Sequence, residues 1–333
     1  MMDLEAIWYR RGHPLSLLLF PLSWLFCALV WVRRLAYRRG WLASHRLPTP
    51  VIVVGNLTVG GTGKTPFVIW LSEFLRRRGY RPGIITRGYG GSASQWPRRV
   101  GPEADPFAVG DEAVLLARRS GCPVAAGPDR IAAAQMLIAD DGCDIIATDD
   151  GLQHYRLQRD LEVLVVDGER CFGNGRCLPA GPLREAPSRR RDVDLTVYNG
   201  GDYADGWQMK LVPGRLVNLR DPDVTRDLAE LRRQRVTAVA GVGNPGRFFS
   251  LLRGYGLHLD ERPYGDHYRF SAEDVASWPP GPVIMTEKDA VKCEGFARAD
   301  HWSLPVDVVM DTGFDDWLSS RLTSFAPEPA LGR

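Results

Sequence analysis

The sequence predicts an α/β protein of two doubly wound units behind an apolar N-terminal helix. The first unit is a phosphate-loop nucleotide-binding domain, and a short β linker joins it to the second. Three observations carry that prediction. From residue 51 onward, short β-branched runs alternate with helix-length amphipathic stretches, the pattern of parallel strands joined by crossover helices. A glycine-rich turn directly follows the first of those strands, in VIVVGNLTVGGTGKTP at 51–66. Before residue 51, the stretch Leu15 to Val32 carries no charge.

That apolar stretch comes first in the chain. Its eighteen residues sit at the lower length limit for a membrane span. Arg10 and Arg11 precede it, and Arg33, Arg34, Arg38 and Arg39 follow. Pro21 interrupts it, and Trp24 and Trp31 sit where interfacial anchors are common. A spanning helix, a helix lying in the interface and a buried core helix are all open. The flanking arginines, suited to anionic headgroups, favour membrane contact. No small-residue cleavage motif follows, which argues against a removed signal peptide.

After the linker ASHRLPTP, strands are predicted at 51–54, 83–86, 124–126, 144–148, 162–166 and 195–198, with helices at 65–78, 111–119 and 129–139. Near residue 200 the texture changes to the loop NGGDYADGW and the possible hairpin MKLVPGRLVNL. A second α/β run follows, with strands at 236–240, 283–286 and 306–309 and helices at 246–253 and 315–322. The expected division is therefore a membrane-associated segment at 1–46, a phosphate-loop domain at 47–205, a smaller α/β domain at 206–325 and a frayed tail at 326–333.

Composition bounds the function. Hydrophobic residues at 44% and charged residues at 25% exclude global disorder. A formal charge of +2 gives no general argument for nucleic-acid binding. Six cysteines without a C-x-x-C pair argue against a zinc site or disulfide scaffold and fit a reducing compartment. Only four lysines occur (64, 210, 288 and 292), so one inside the glycine turn stands out.

The turn departs from G-x-x-x-x-G-K-[ST], since Thr58 stands where the first glycine belongs. Its physical parts are intact. Gly60, Gly61 and Gly63, with Val59 and Thr62 between and beside them, let backbone amides converge on phosphate oxygens. Lys64 adds a charge at a helix N-terminus, and Thr65 offers a hydroxyl to Mg²⁺. A second strand ends in TDDGLQH at 148–154. Asp149 and Asp150 there are placed to take the metal, although Asp-Asp-Gly is also turn chemistry. Asp111, in GDEA, is either a helix N-cap or a general base, for which His154 is the available support. TRGYGG at 86–91 closes another strand with Arg87 and Tyr89, suiting an anionic ligand.

Taken together, GNLTVGGTGKTP, TRGYGG, GDEA, PDR (128–130), TDDGLQH, LPAGPLRE (178–185), GVGNPGRFF and TEKDAVKC (286–293) resemble the tetraacyldisaccharide 4'-kinase family of Gram-negative lipid A biosynthesis. The Thr58 feature belongs to that family's pattern; Ala113, where the family commonly has proline, departs from it. The resemblance implies transfer of the ATP γ-phosphate to the 4'-hydroxyl of a tetraacylated glucosamine disaccharide 1-phosphate, giving the bis-phosphorylated lipid A precursor. It implies ATP and Mg²⁺ as cofactors, and a monomer on the cytoplasmic face of the inner membrane that does not bind nucleic acid. By motif, Lys64 and Thr65 hold phosphates and metal, with Asp149, Asp150 and Glu185 on the metal. Asp111 becomes the base, supported by His154. Arg87, Tyr89, Arg130, Gln153 and Arg184 line the lipid-headgroup side, and His267 packs near the adenine.

Two rivals have sequence support. GVGNPG at 241–246 is a literal G-x-G-x-x-G after a strand, with Asp260 nineteen residues beyond Gly241, as dinucleotide binding would require. A membrane-associated NTPase without a small-molecule acceptor would share the phosphate loop. Guanine recognition by [NT]-K-x-D is not met by TEKD at 286–289.

Overall fold

The computed structural model describes residues 4–10, 12–323 and 325. The flanking Arg11 and the tail expected at 326–333 lie outside them. Fifteen strands among the described residues form two sheets. In chain order they are β1 Val51–Gly55, β2 Pro82–Thr86, β3 Arg98–Val100, β4 Val124–Ala126, β5 Ile145–Thr148, β6 Leu161–Asp167, β7 Leu195–Asn199 and β8 Trp207–Pro213. There follow β9 Leu216–Asn218, β10 Thr225–Arg226, β11 Arg235–Ala240, β12 His258–Pro263, β13 Val283–Thr286, β14 His301–Leu304 and β15 Val306–Met310.

The larger sheet has the order β15-β8-β7-β6-β1-β5-β2-β4-β3. Its strands from β8 to β4 are parallel, and the two edge strands β15 and β3 are antiparallel. β1 pairs with β5 on one side and β6 on the other. The turns after β1, β2, β5, β6 and β7 therefore open at one carboxyl edge, where ligands of such sheets bind. β1, β5 and β6 are buried along their whole length, which explains their unbroken apolar runs.

Three helices lie before the sheet: α1 Leu4–Tyr9, α2 Pro14–Leu18 and α3 Phe20–Arg38. The crossover helices are α4 Lys64–Arg77, α5 Pro106–Val109, α6 Asp111–Ser120 and α7 Arg130–Asp141. α4 buries Phe67, Val68, Leu71, Phe74 and Leu75, one stripe at helical spacing. α7 starts where the Asp129 carboxylate accepts from the amides of Ile131 and Ala132.

The second sheet has the order β10-β9-β14-β13-β11-β12 and carries α8 Pro245–Gly254, α9 Ala272–Ser277 and α10 Glu287–Cys293. The last helix is α11 Phe314–Thr323. The division expected at 205/206 is corrected here. β8, β15 and α11 belong to the first unit, because Met209, Val308, Phe314, Leu318 and Leu322 join the core of β1 and α4. The expected hairpin MKLVPGRLVNL is also corrected: β8 stays in the large sheet, and β9 pairs in the other. The Gly214 amide donates to the Pro305 carbonyl at 2.9 Å. The second unit is thus inserted between β8 and β15, its two connections side by side.

The apolar N-terminal stretch is two helices divided at Leu19. Among the described residues, no helix is long and apolar enough to cross a membrane. Phe26 and Cys27 of that stretch pack against the core below it, and its other inward contacts are polar. Ser16 Oγ donates to the Ala180 carbonyl and Ser23 Oγ to the Cys177 carbonyl, each at 2.6 Å, and Arg34 pairs with Asp192 at 2.9 Å. Leu17, Leu18, Phe20, Leu22, Trp24, Leu25, Leu29 and Trp31 face outward.

Candidate active site

A cavity of about 1290 Å³ opens between the two sheets at the carboxyl edge of the larger one. The turn after β1 forms its floor. Gly60 and Gly63 have φ of 111° and 95°, a region that side chains other than glycine rarely enter. A Cβ on Gly63 would also lie 2.5 Å from Asn199 Nδ2. That amide donates to the Thr62 carbonyl at 3.1 Å and braces the turn from β7. On the other flank the Val59 amide donates to the Pro182 carbonyl, and the Arg184 amide to the Leu57 carbonyl. Thr58 bridges to Leu183. The LPAGPLRE segment therefore clamps the loop at the position where the first glycine is missing.

Two carboxylates meet the start of α4. Thr65 Oγ1 donates to Asp149 Oδ2 at 2.9 Å, and Lys64 Nζ lies 3.7 Å from Asp150 Oδ1. Burial, with Glu112 nearby, pushes Asp149 up to about 7, against the opposing pull of Lys64. Its Oδ1 is buried without a hydrogen-bond partner. A high-pKa carboxylate with a spare oxygen beside a threonine hydroxyl fits a hard divalent cation, which uses one or two carboxylates and completes its shell with phosphates and water. Among the described residues no group of three His, Cys, Asp or Glu forms an all-protein cage. Asp150 has φ of 54° and is gripped by Arg184, whose Nη1 lies 2.7 Å from both carboxylate oxygens. Burial opposes its ionisation, but Lys64 and Arg184 hold it well below the carboxylate range. Arg130 Nη2 donates to the Asp150 carbonyl at 2.7 Å, and its buried Nη1 has no partner. A Cβ on Gly151 would fall 2.0 Å from Thr148 Oγ1, so the turn requires glycine there.

Asp111 begins α6, and its partner is His267, not His154. His267 Nδ1 stands 3.0 Å from Asp111 Oδ1, and Lys292 Nζ is 3.4 Å from Oδ2. Burial would raise the Asp111 pKa, but the His267 hydrogen bond and the charges of Lys288, His267 and Lys292 hold it well below the ordinary range. Burial lowers the His267 pKa, yet Asp111 outweighs it and the net shift is upward. Lys288 Nζ reaches Glu112 at 3.0 Å and Asp266 at 3.1 Å. α10, from the TEKDAVKC segment, thus delivers two of the four lysines to the Asp111–Glu112 pair.

Three expectations are corrected at this point. His154 lines the cavity, but burial and Arg130 push its pKa down to about 4, and its Nε2 is buried without a partner. His267, expected at the adenine, has its ring on Asp111 and 4.7 Å from the Tyr89 ring. Glu185, expected on the metal, is buried and held by Gln153 Nε2 at 2.9 Å, by the Tyr155 hydroxyl and by Arg189 at 3.7 Å. Arg87, Tyr89, Arg130, Gln153 and Arg184 do line the cavity, as does Arg33 from α3. Sequence reasoning missed Asn199 and Asp167, which carry no motif, and gave Lys292, inside TEKDAVKC, no role.

GVGNPG follows β11 and opens α8, as a dinucleotide turn would, but its surface is occupied. A Cβ on Gly243 would lie 2.4 Å from the Gly61 amide nitrogen. The Gly241 amide is already bound by Asp289 at 2.9 Å.

Comparison with known proteins agrees with this geometry. The family model described as tetraacyldisaccharide-1-P 4'-kinase matches residues 15–323. A tetraacyldisaccharide 4'-kinase of Nitrosococcus oceani is 52% identical over 96% of this chain and 94% of its own length. The protein of that name from Alkalilimnicola ehrlichii is 51% identical over 92% and 93%. A crystal structure of LpxK from Aquifex aeolicus, described as an apo form in complex with ATP, superposes with a TM-score of 0.76. It is 28% identical and is matched over 93% of this chain and 99% of that one.

Proposed function

The chain belongs to the tetraacyldisaccharide-1-P 4'-kinase family, and from that premise we propose how its own residues carry out the reaction. The reaction is transfer of the ATP γ-phosphate to the 4'-hydroxyl of a tetraacylated glucosamine disaccharide 1-phosphate. The carrying observation is that one cavity is lined by Lys64, Thr65 and Asp150 and by His267, with buried Asp149 bound to Thr65 and buried Asp111 bound to His267 behind them. An NTPase without an acceptor has no use for that pair, and this reading is not favoured.

In phosphoryl transfer the protein mainly positions groups and neutralises charge. The amides of 60–63 and the Lys64 ammonium hold the β- and γ-phosphates. Thr65 Oγ1 and Asp149 are the residues fitted to hold Mg²⁺, which when bound supplies charge neutralisation on those phosphates. Arg184 keeps Asp150 turned toward Lys64. The Asp111–His267 pair orients the 4'-hydroxyl and accepts its proton; Lys292 pairs with Asp111 directly and the nearby charge of Lys288 also acts on it. Arg33, Arg87 and Arg130 face the cavity where an anionic headgroup would enter.

The membrane reading rests on the inverted helices α2 and α3, with serines inward and leucines and tryptophans outward. They lie on the cytoplasmic face of the inner membrane and bring the sugar headgroup to the cavity. One chain supplies both walls of the site, which supports a monomeric catalytic unit.

The test is phosphate transfer from γ-labelled ATP to the tetraacyl disaccharide 1-phosphate in detergent micelles, with and without Mg²⁺. Asp111→Ala is expected to abolish transfer and retain ATP binding. Full activity in that variant removes Asp111 from the mechanism.

A further inference from the structure

The glycine turn of the second unit, Gly241 to Gly246, sits on the phosphate loop, and the contact is built rather than incidental. Gly243 approaches so closely that a Cβ there would lie 2.6 Å from Gly60 Cα and 2.4 Å from the Gly61 nitrogen. Its own φ lies outside the left-handed region. Glycine is therefore required there by the neighbouring loop, not by its backbone.

What holds the turn down is Asp167, at the carboxyl end of β6, the strand next to β1. The carboxylate is 3% exposed and fully engaged. Oδ1 accepts from Arg247 Nη2 at 2.7 Å and from the amides of Glu169 and Arg170 at 3.0 and 3.1 Å. Oδ2 accepts from Asn244 Nδ2 at 3.2 Å. Asn244 and Arg247 belong to the N-cap and first turn of α8, so one buried aspartate of the first unit receives two donors of the second. Arg247 Nη2 also donates to the Asn199 carbonyl at 3.2 Å, and the Asn199 amide is the brace under Thr62. Arg170 adds a bond to the Gly243 carbonyl at 3.3 Å. A buried, charge-assisted bond of this kind loses most when one partner is removed, because the other is left uncompensated.

We propose that Asp167 is a positioning residue for the nucleotide. Through Arg247 and Asn244 it seats the Gly241–Gly246 turn on the phosphate loop, and that seating sets how tightly ATP is held. The inference rests on the reading of residues 58–65 as the phosphate site. It goes beyond that reading by making nucleotide retention depend on Asp167, which is not among the residues that line the cavity, through Gly243, Asn244 and Arg247, which are.

The experiment is binding of the non-hydrolysable analogue AMP-PNP with Mg²⁺ to the full chain, with KM values for ATP and lipid measured in parallel. Asp167→Asn, Arg247→Ala and Gly243→Ala are each expected to raise the analogue Kd and the ATP KM about tenfold. The lipid KM should stay within twofold in each, and the melting temperature of Gly243→Ala near that of the parent. Gly243→Ala leaves every donor and acceptor of the latch in the chain and acts only by wedging the two surfaces apart, so it carries the test if the charge variants fold poorly. Combining Gly243→Ala with Arg247→Ala is expected to weaken binding no further than either alone, since both unseat the same turn. Unchanged analogue binding in folded Gly243→Ala and Arg247→Ala overturns the proposal, as does an equal rise in both KM values. Lys64→Ala separates the two levels. If it too leaves binding unchanged, the phosphate-loop reading fails; if it alone loses binding, only the role of Asp167 fails.

Discussion

At the scale of single residues, the site is a set of partnerships, and the pH dependence follows from one of them. His267 must be neutral for the Asp111–His267 pair to take up the acceptor's proton. Asp111 lifts His267 above its ordinary value near 6.5, so the proton is lost later than from an isolated imidazole. The acid limb of kcat/KM is therefore expected above pH 6.5, with activity rising as pH rises through the His267 value. Asp111→Asn removes the charge that lifts His267. The residual rate should fall by about 10²–10⁴, the usual range for a lost general base, and its acid limb should move to lower pH. A pH–rate profile checks this, and an unmoved limb would detach His267 from the chemistry. The sequence showed half of this partnership. Asp111 was legible as a charged helix start, but its partner lies 156 residues away on a loop with no signature. His154 is the nearer candidate in sequence because it stands in the contiguous motif TDDGLQH. Burial beside arginines disables that imidazole as a charged partner.

At the scale of elements, contiguity again decides what could be read. The phosphate loop needs only a strand, a turn and a helix start in order, all within residues 51–66. The direction in which α2 and α3 face could not be read that way. Their stretch is apolar all round except at Ser16 and Ser23, and those serines mark the inward face. The consequence is testable without deleting the helices, which cover carbonyls of the 177–180 turn. Leu18 and Trp24 are 76% and 67% exposed, so Leu18→Asp with Trp24→Asp should leave the fold and micellar kinase activity near parental levels. A large apolar side chain transferred from water contributes about 1.5–3 kcal/mol. Loss of two should reduce recovery on phosphatidylethanolamine–phosphatidylglycerol vesicles at least tenfold. Undiminished sedimentation with the vesicles would refute the membrane face.

At the scale of the whole molecule, the chain is an insertion rather than a string of two domains, and this was the least legible feature. The strand–helix rhythm resumes after residue 235 much as it began, so a linear division looked sufficient. Nothing in VDVVM or FDDWLSSRL says which sheet will receive it. The assignment is made by packing: Phe314 is fully buried against Phe67 at 6.4 Å between ring centroids and against Trp207 at 5.2 Å. Two consequences separate the insertion from a linear arrangement. A fragment ending at residue 205 lacks β8, β15 and α11, leaves β7 as a bare edge and uncovers α4, so it should be unfolded or aggregated. Replacing residues 215–304 by a short turn joins β8 to β15 where Gly214 and Pro305 already meet. That shortened chain should fold cooperatively, as seen in its circular dichroism melt. It should fail to transfer phosphate, because His267, Lys288 and Lys292 leave with the insertion. A folded 1–205 fragment beside an unfolded excision variant would reverse the assignment. The same geometry explains how the second unit is held on the phosphate loop: both of its tethers leave one edge of the large sheet, and Asp167, three strands in from that edge's β15, binds Asn244 and Arg247 of the second unit.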